Sequence, residues 1–333
     1  MTVINLTATG YHSYDNKYVL IFSGNEDVIY VSTGNEVKSF DVHMADSWKP
    51  LESYNYNKDE INQIGCNSKA SFLAAADDSG DVKIIDIQQN RLYKSLRAGH
   101  ATVKICSTVR FLPWRSWEVI TGGLDSKLVM WDFSKGRPQK IVDFGVPDVG
   151  SQGNVGQCLN PAFVHALAVP EVDVVERVGK VCVVARGDGV VDVIDIESEV
   201  ALLKSKSSLK SKKVGSIPKS SVTAADSQAI DQKKRKLHLD YSVGGHTAAV
   251  SCVEFSMFGE KGNFIISGGN DKQVKVWNWL TSLDADETAR DSDLLRLSLN
   301  LSKKVNWLCT TPTDTDNLVI CDTSKIVKLY TVA

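Results

Sequence analysis

Two fourteen-residue stretches of this chain are near copies of each other. Val119 to Asp132 and Ile265 to Asn278 both open on β-branched residues and pass a Gly-Gly pair, Gly122-Gly123 or Gly268-Gly269. Both then cross a polar turn and finish in an apolar–polar alternation that ends on a tryptophan, Trp131 or Trp277. That pattern predicts a strand, a tight turn and a second strand. A Gly-His pair stands upstream of each copy, Gly99-His100 and Gly245-His246. A repeat constrains the fold more than a lone motif does, because one such unit cannot bury its own apolar faces and must stack on its neighbours.

Weaker copies surround these two. Phe72–Gly80 runs into Val82–Asp86, Val181–Gly189 into Val193–Asp195, Val28–Val31 into Val37–Asp41, and Leu318–Ile320 into Val327–Tyr330. The strand-ending markers Phe40, Ile85, Trp131, Ile194, Trp277 and Tyr330 lie 45, 46, 63, 83 and 53 residues apart. The two shortest gaps match the period of a four-stranded propeller blade, and the longer ones imply insertions. We expect one all-β domain over residues 1–333, a β-propeller of six recognisable blades. The rival expectation is a seven-bladed relative with a truncated first repeat. An open sheet edge invites aggregation, so Val3-Ile4-Asn5-Leu6 is expected to supply the outer strand that the last repeat lacks. Seven singly scattered cysteines suggest buried thiols in a reducing compartment.

The Gly-His pair followed by an Asp six residues before a Trp resembles the WD-repeat family, the WD40-type propellers. The resemblance implies a hydrogen-bonded set inside a blade: His100, Thr121, Asp125 and Trp131 in one repeat, His246, Ser267, Asp271 and Trp277 in another. A His/Ser/Asp group also has the look of a hydrolase triad. It occurs twice at equivalent repeat positions, which favours internal struts over catalysis. No phosphate-binding loop and no metal-ligand spacing is present, so neither a metal nor a cofactor is expected, and the chain is not expected to be an enzyme. His12 and His165 stand alone.

A narrower resemblance follows from Asn57–Asn62, Ala76–Gly80, Leu159-Asn160-Pro161-Ala162 and Lys304-Val305-Asn306-Trp307-Leu308, taken in order. This set is similar to the family of WD repeat-containing protein fifty-three. That resemblance implies a substrate receptor of a cullin-four RING ubiquitin ligase, docking on the damage-specific DNA-binding protein one adaptor. The docking signature is Trp-Asp-x-Arg, whose planar cation pairs with carboxylates. Here Trp131-Asp132 is followed two residues on by Ser134, and Asp41 by His43. Asp41, His43, Trp131 and Asp132 are the candidate docking residues.

Residues 203–241 carry ten Lys or Arg against three Asp, with a lone aromatic residue at the end, and are expected to form a disordered basic insertion between blades. Within it, Lys233, Lys234, Arg235 and Lys236 resemble a nuclear import signal. Residues 283–293 form an acidic loop. The expected protein is a non-enzymatic interaction scaffold of nucleus and cytoplasm, a monomeric subunit of a larger complex, with no membrane and no sequence-specific nucleic-acid partner. The alternative is a nuclear peptide or histone-tail reader outside any ligase. Trp48, Trp114, Trp117 and Trp279 are candidate exposed anchors.

Overall fold

Glu118–Gly123 and Lys127–Asp132 pair antiparallel across the turn at 124–126, and every other repeat folds the same way. A computed structural model describes residues 10–12, 16–22, 27–44, 49–97, 99–100, 105–146, 158–201, 236–280, 294–311, 317–324 and 326–332. These contain six antiparallel sheets. Blade 1 holds β1 (Gly10–His12), β2 (Asn16–Phe22), β3 (Val28–Thr33), β4 (Glu36–Asp41) and β5 (Glu52–Tyr54). Blade 2 holds β6 (Ile61–Cys66), β7 (Phe72–Asp77), β8 (Val82–Asp86) and β9 (Arg91–Leu96). Blade 3 holds β10 (Cys106–Phe111), β11 (Glu118–Gly123), β12 (Lys127–Asp132) and β13 (Arg137–Asp143).

Blade 4 holds β14 (Val164–Ala168), β15 (Val181–Arg186), β16 (Val191–Asp195) and β17 (Lys236–Leu239), with the one-turn helix α1 (Val175–Val178) between its first two strands. Blade 5 holds β18 (Val250–Phe255), β19 (Ile265–Gly269), β20 (Gln273–Trp277) and β21 (Leu295–Asn300). Blade 6 holds β22 (Val305–Thr310), β23 (Asn317–Asp322) and β24 (Val327–Thr331). The inner strands β2, β6, β10, β14, β18 and β22 neighbour one another in that order. The architecture is a six-bladed β-propeller.

Burial explains why the repeats read as they do. In β11 and β12 five of six residues are buried, on both faces, because each middle strand is sandwiched between neighbouring blades. The outer strand β13 is only partly covered, with one of its seven residues buried. The core is therefore distributed between blades. Tyr30 and Val37 meet Ile61 and Leu73; Val82 and Ile84 meet Val109 and Trp131; Leu128 and Met130 meet Leu167 and Cys182. Val191 and Val193 meet Val253 and Trp277, and Val274 and Val276 meet Leu308 and Ile320.

One expectation is corrected here. The C-terminal end of the 203–241 stretch is ordered, since Lys236–Leu239 forms the fourth strand of blade 4, paired with β16. Alternation at Leu237 and Leu239 places Leu239 in the core, which outweighs the basic composition around it. Residues 202–235, the acidic stretch 283–293 and Val3–Leu6 lie outside the described residues.

Candidate functional site

The two repeated sets are closed hydrogen-bond chains inside blades 3 and 5. In blade 3 the Trp131 indole N–H donates to Thr121 Oγ1 at 2.9 Å, and Thr121 Oγ1 lies 2.8 Å from His100 Nε2. His100 Nδ1 lies 2.9 Å from Asp125. Blade 5 repeats this: Trp277 to Ser267 at 2.9 Å, Ser267 to His246 at 2.8 Å, His246 to Asp271 at 2.9 Å. One proton arrangement satisfies every group: indole to hydroxyl, hydroxyl to Nε2, Nδ1–H to carboxylate. Both imidazoles are fully enclosed. Both hydroxyls have their printed partners inside their own blade, which is the arrangement of an internal strut.

The Gly-Gly pair belongs to the same construction. A Cβ on Gly123 would sit 2.6 Å from His100 Nδ1 and 2.8 Å from Asp125, and one on Gly269 would meet His246 and Asp271 at 2.8 Å. The preceding glycine presses on the next blade, where Gly268 would meet Val305 at 2.6 Å and Gly122 would collide with Val164.

Blades 2, 4 and 6 use other carboxylate-centred networks. Asn57 donates to the buried Asp77 at 2.9 Å. In blade 4 the Arg186 guanidinium pairs with Asp188 and Asp192, and His238 sits 2.5 Å from Asp192. Burial alone pushes the Asp192 carboxyl upward, but Arg186 and His238 beside it hold it far below the ordinary 3.8. In blade 6, Lys328 pairs with Asp322 at 2.5 Å.

Sequence reasoning missed the seams between inner strands. Five inner strands carry a bulge at the same position, occupied by Asn62, Ser107, His165, Ser251 and Asn306. Three of these side chains reach the next blade: Asn62 to the Cys106 carbonyl at 3.2 Å, Ser107 to Val164 at 2.5 Å, and Ser251 to Val305 at 2.5 Å. The recurring Ser after the first apolar residue of Cys106–Phe111 and Val250–Phe255 was the available signal. His165 is partly buried, and burial holds its imidazole below the ordinary value.

The docking candidates are scattered. Trp131 has no exposed surface, its indole being spent on Thr121, so it is withdrawn as a contact residue. Asp132 is nearly buried; despite that, Lys135 and Ser134, which bond its carboxylate, hold it below the ordinary value. Asp41 caps the His43 backbone at 2.8 Å, and the exposed His43 imidazole lies 3.1 Å from Asp27. Lys233, Lys234 and Arg235 lie outside the described residues, and Lys236 opens β17.

Of the candidate anchors, Trp279 is fully buried, its indole donating to Gly262, and so it is no anchor. Trp114 is partly buried, and Trp48 and the His12 side chain are outside the description. Trp117 is different. It is 47% exposed and crowns an aromatic cluster with Phe72, Tyr93 and Phe133, at centroid distances of 5.6, 6.1 and 5.4 Å.

Comparison with known proteins agrees with this geometry. The family described as WD domain, G-beta repeat matches residues 238–278, which run from the end of β17 through β20 and contain His246, Ser267, Asp271 and Trp277. The matched stretch is one repeat of the propeller. The chain is similar to the WD repeat-containing protein 53 homolog of Dictyostelium discoideum, 28% identical over 317 residues, covering 91% of this chain and 76% of that protein. Shorter likenesses join the propeller to two proteins of Arabidopsis thaliana, each 28% identical. Cell division cycle 20.5, cofactor of APC complex, matches over 34% of this chain and 24% of its own length. Cell division cycle 20.4, cofactor of APC complex, matches over 32% and 22%.

Proposed function

We propose that this propeller is a non-enzymatic docking platform acting as the substrate receptor of a cullin-four ubiquitin ligase, held through the damage-specific DNA-binding protein one adaptor. The observation that carries it is the half-exposed Trp117 on its aromatic base, beside the end of β12. Phe133, which follows Asp132, is the buried floor of that cluster, and its backbone N–H donates to the Trp117 carbonyl. A large aromatic held rigid by packing loses little side-chain freedom on binding, which is the property of an interface anchor. Similarity to the WD repeat-containing protein 53 homolog supports the finer reading, as do two relatives named as cofactors of the APC complex. Ser134 replaces the signature arginine, and the cation nearest the strand end is Lys135, paired with Asp132.

The test is a binding titration of the whole protein against the purified adaptor, beside Trp117→Ala and Lys135→Ala. Micromolar binding weakened at least roughly tenfold by Trp117→Ala supports the reading. No binding of the unaltered protein refutes the ligase role.

The histone-tail alternative fares less well at the inner strands. Among the described residues, the equivalent positions Gly65, Arg110, Ala168, Glu254 and Cys309 hold one acid and one base.

A further inference from the structure

Each blade presents one face to the blade that follows it, and the residues five and seven places beyond the end of its second strand mark that face. In blades 2 to 5 the pairs are Val82 and Ile84, Leu128 and Met130, Val191 and Val193, and Val274 and Val276. All eight are buried, the most exposed, Val276, at 6%. The equivalent pair in blade 6, by the same count from the turn, is Val327 and Leu329. These are 66% and 63% exposed, and Ile326 beside them is 65% exposed.

Two further features mark the same place. Strands β8, β12, β16 and β20 each have a fourth strand paired on their outer edge, whereas among the described residues nothing pairs with the outer edge of β24. Asn306 occupies the bulge position from which Asn62, Ser107 and Ser251 bond the following inner strand. Blade 6 thus carries, on its far side, the apolar pair found at the junctions of blades 2 to 5 and a bulge residue at the position that bonds the next blade at three of them, beside an edge left unpaired among the described residues.

We propose that this side of blade 6 is a docking site for a β-sheet element of a partner protein. The element adds an extended strand to the edge of β24 and packs apolar side chains on Val327 and Leu329. The repeat register names the occupant's chemistry, because the face continues the series of inter-blade interfaces. An alternating segment such as Leu295–Asn300, which fills the fourth-strand place beside β20, is the kind of chain that fits. Main-chain hydrogen bonds supply affinity in such strand addition, and alternate side chains supply selectivity. The exposed pair carries no charge, so ionic strength has little influence on binding.

The experiment uses the whole protein and a synthetic peptide of residues 294–301 as the probe. Hydrogen exchange is followed at those amides of 326–332 that point away from β23. Fast exchange in the protein alone, slowed roughly tenfold or more by about 1 mM peptide, is the expected result. Val327→Asp combined with Leu329→Asp removes that protection without moving the thermal midpoint, since both side chains are solvent-facing in the monomer. Slow exchange in the protein alone, in a monomer by sedimentation, would mean that the chain covers its own edge and overturns the proposal. Concentration-dependent dimerisation abolished by the double variant assigns the face to a second copy and overturns it too. No protection at saturating peptide does the same.

Discussion

Ser107 on the inner strand of blade 3 donates a hydrogen bond to the backbone carbonyl of Val164 on the inner strand of blade 4, at 2.5 Å. Ser251 does the same for Val305 between blades 5 and 6. Each hydroxyl also lies 3.0 Å from a carbonyl of its own blade, Gly122 or Gly268, so the bulge residue is a seam stitch between sheets. Ser107→Ala and Ser251→Ala should each cost about 1–2 kcal/mol of stability. The two seams are two blades apart and share no partner, so urea midpoints of the double variant should show additive losses.

The strut sets make a sharper prediction. His246→Ala takes the imidazole from Asp271, which keeps the Thr247 and Gln273 backbone N–H groups, and leaves the Ser267 hydroxyl without its ring acceptor in an enclosed site; it should cost about 2–5 kcal/mol with an unchanged denaturant slope. Binding of any partner by the folded fraction should be unaffected. Loss of a partner at unchanged stability would restore these residues to the functional site.

Gly123→Ala and Gly269→Ala probe close approach rather than bonding. The added methyl meets the His–Asp pair of its own blade at under 3 Å. Each should lower stability by about 1–3 kcal/mol, through displacement of the imidazole rather than loss of backbone freedom. Calorimetric midpoints, with the imidazole signals followed by NMR, separate the two causes.

Acid should unfold the propeller through its depressed carboxyls. Burial opposes the charge of Asp192 and Asp271, yet Arg186 and His238 for the first, and His246 for the second, hold both below the ordinary 3.8. A depressed folded value contributes stability that is complete above the unfolded value and is lost as pH falls through the folded one. The unfolding free energy should therefore decline from pH 3.8 downward. Asp192→Asn should flatten part of that decline, at a cost of about 3–5 kcal/mol at neutral pH for leaving Arg186 partly unpaired. Urea titrations at stepped pH measure both.

Much of the blade plan was legible because its signals are local. Strand alternation, the Gly-Gly turn and the apolar middle strands are written within about a dozen residues, and six copies of the unit predict six sheets. Lys236–Leu239 escaped that reading because its four residues follow a long basic run, and only its pairing with β16 shows it to be a strand. The two tryptophans Trp117 and Trp279 look alike as letters. One is 47% exposed and the other fully enclosed, because Gly262 and Phe255 from other parts of blade 5 close over Trp279.

By itself the sequence determined the repeating unit, its turns and which residue types alternate toward an interior. The tertiary structure alone decided which interiors exist. Val274 and Val327 occupy the same place in their repeats with the same side chain, yet one is 1% exposed and the other 66%. Burial belongs to the neighbouring sheet as much as to the residue, and no stretch of chain records whether its neighbour is present.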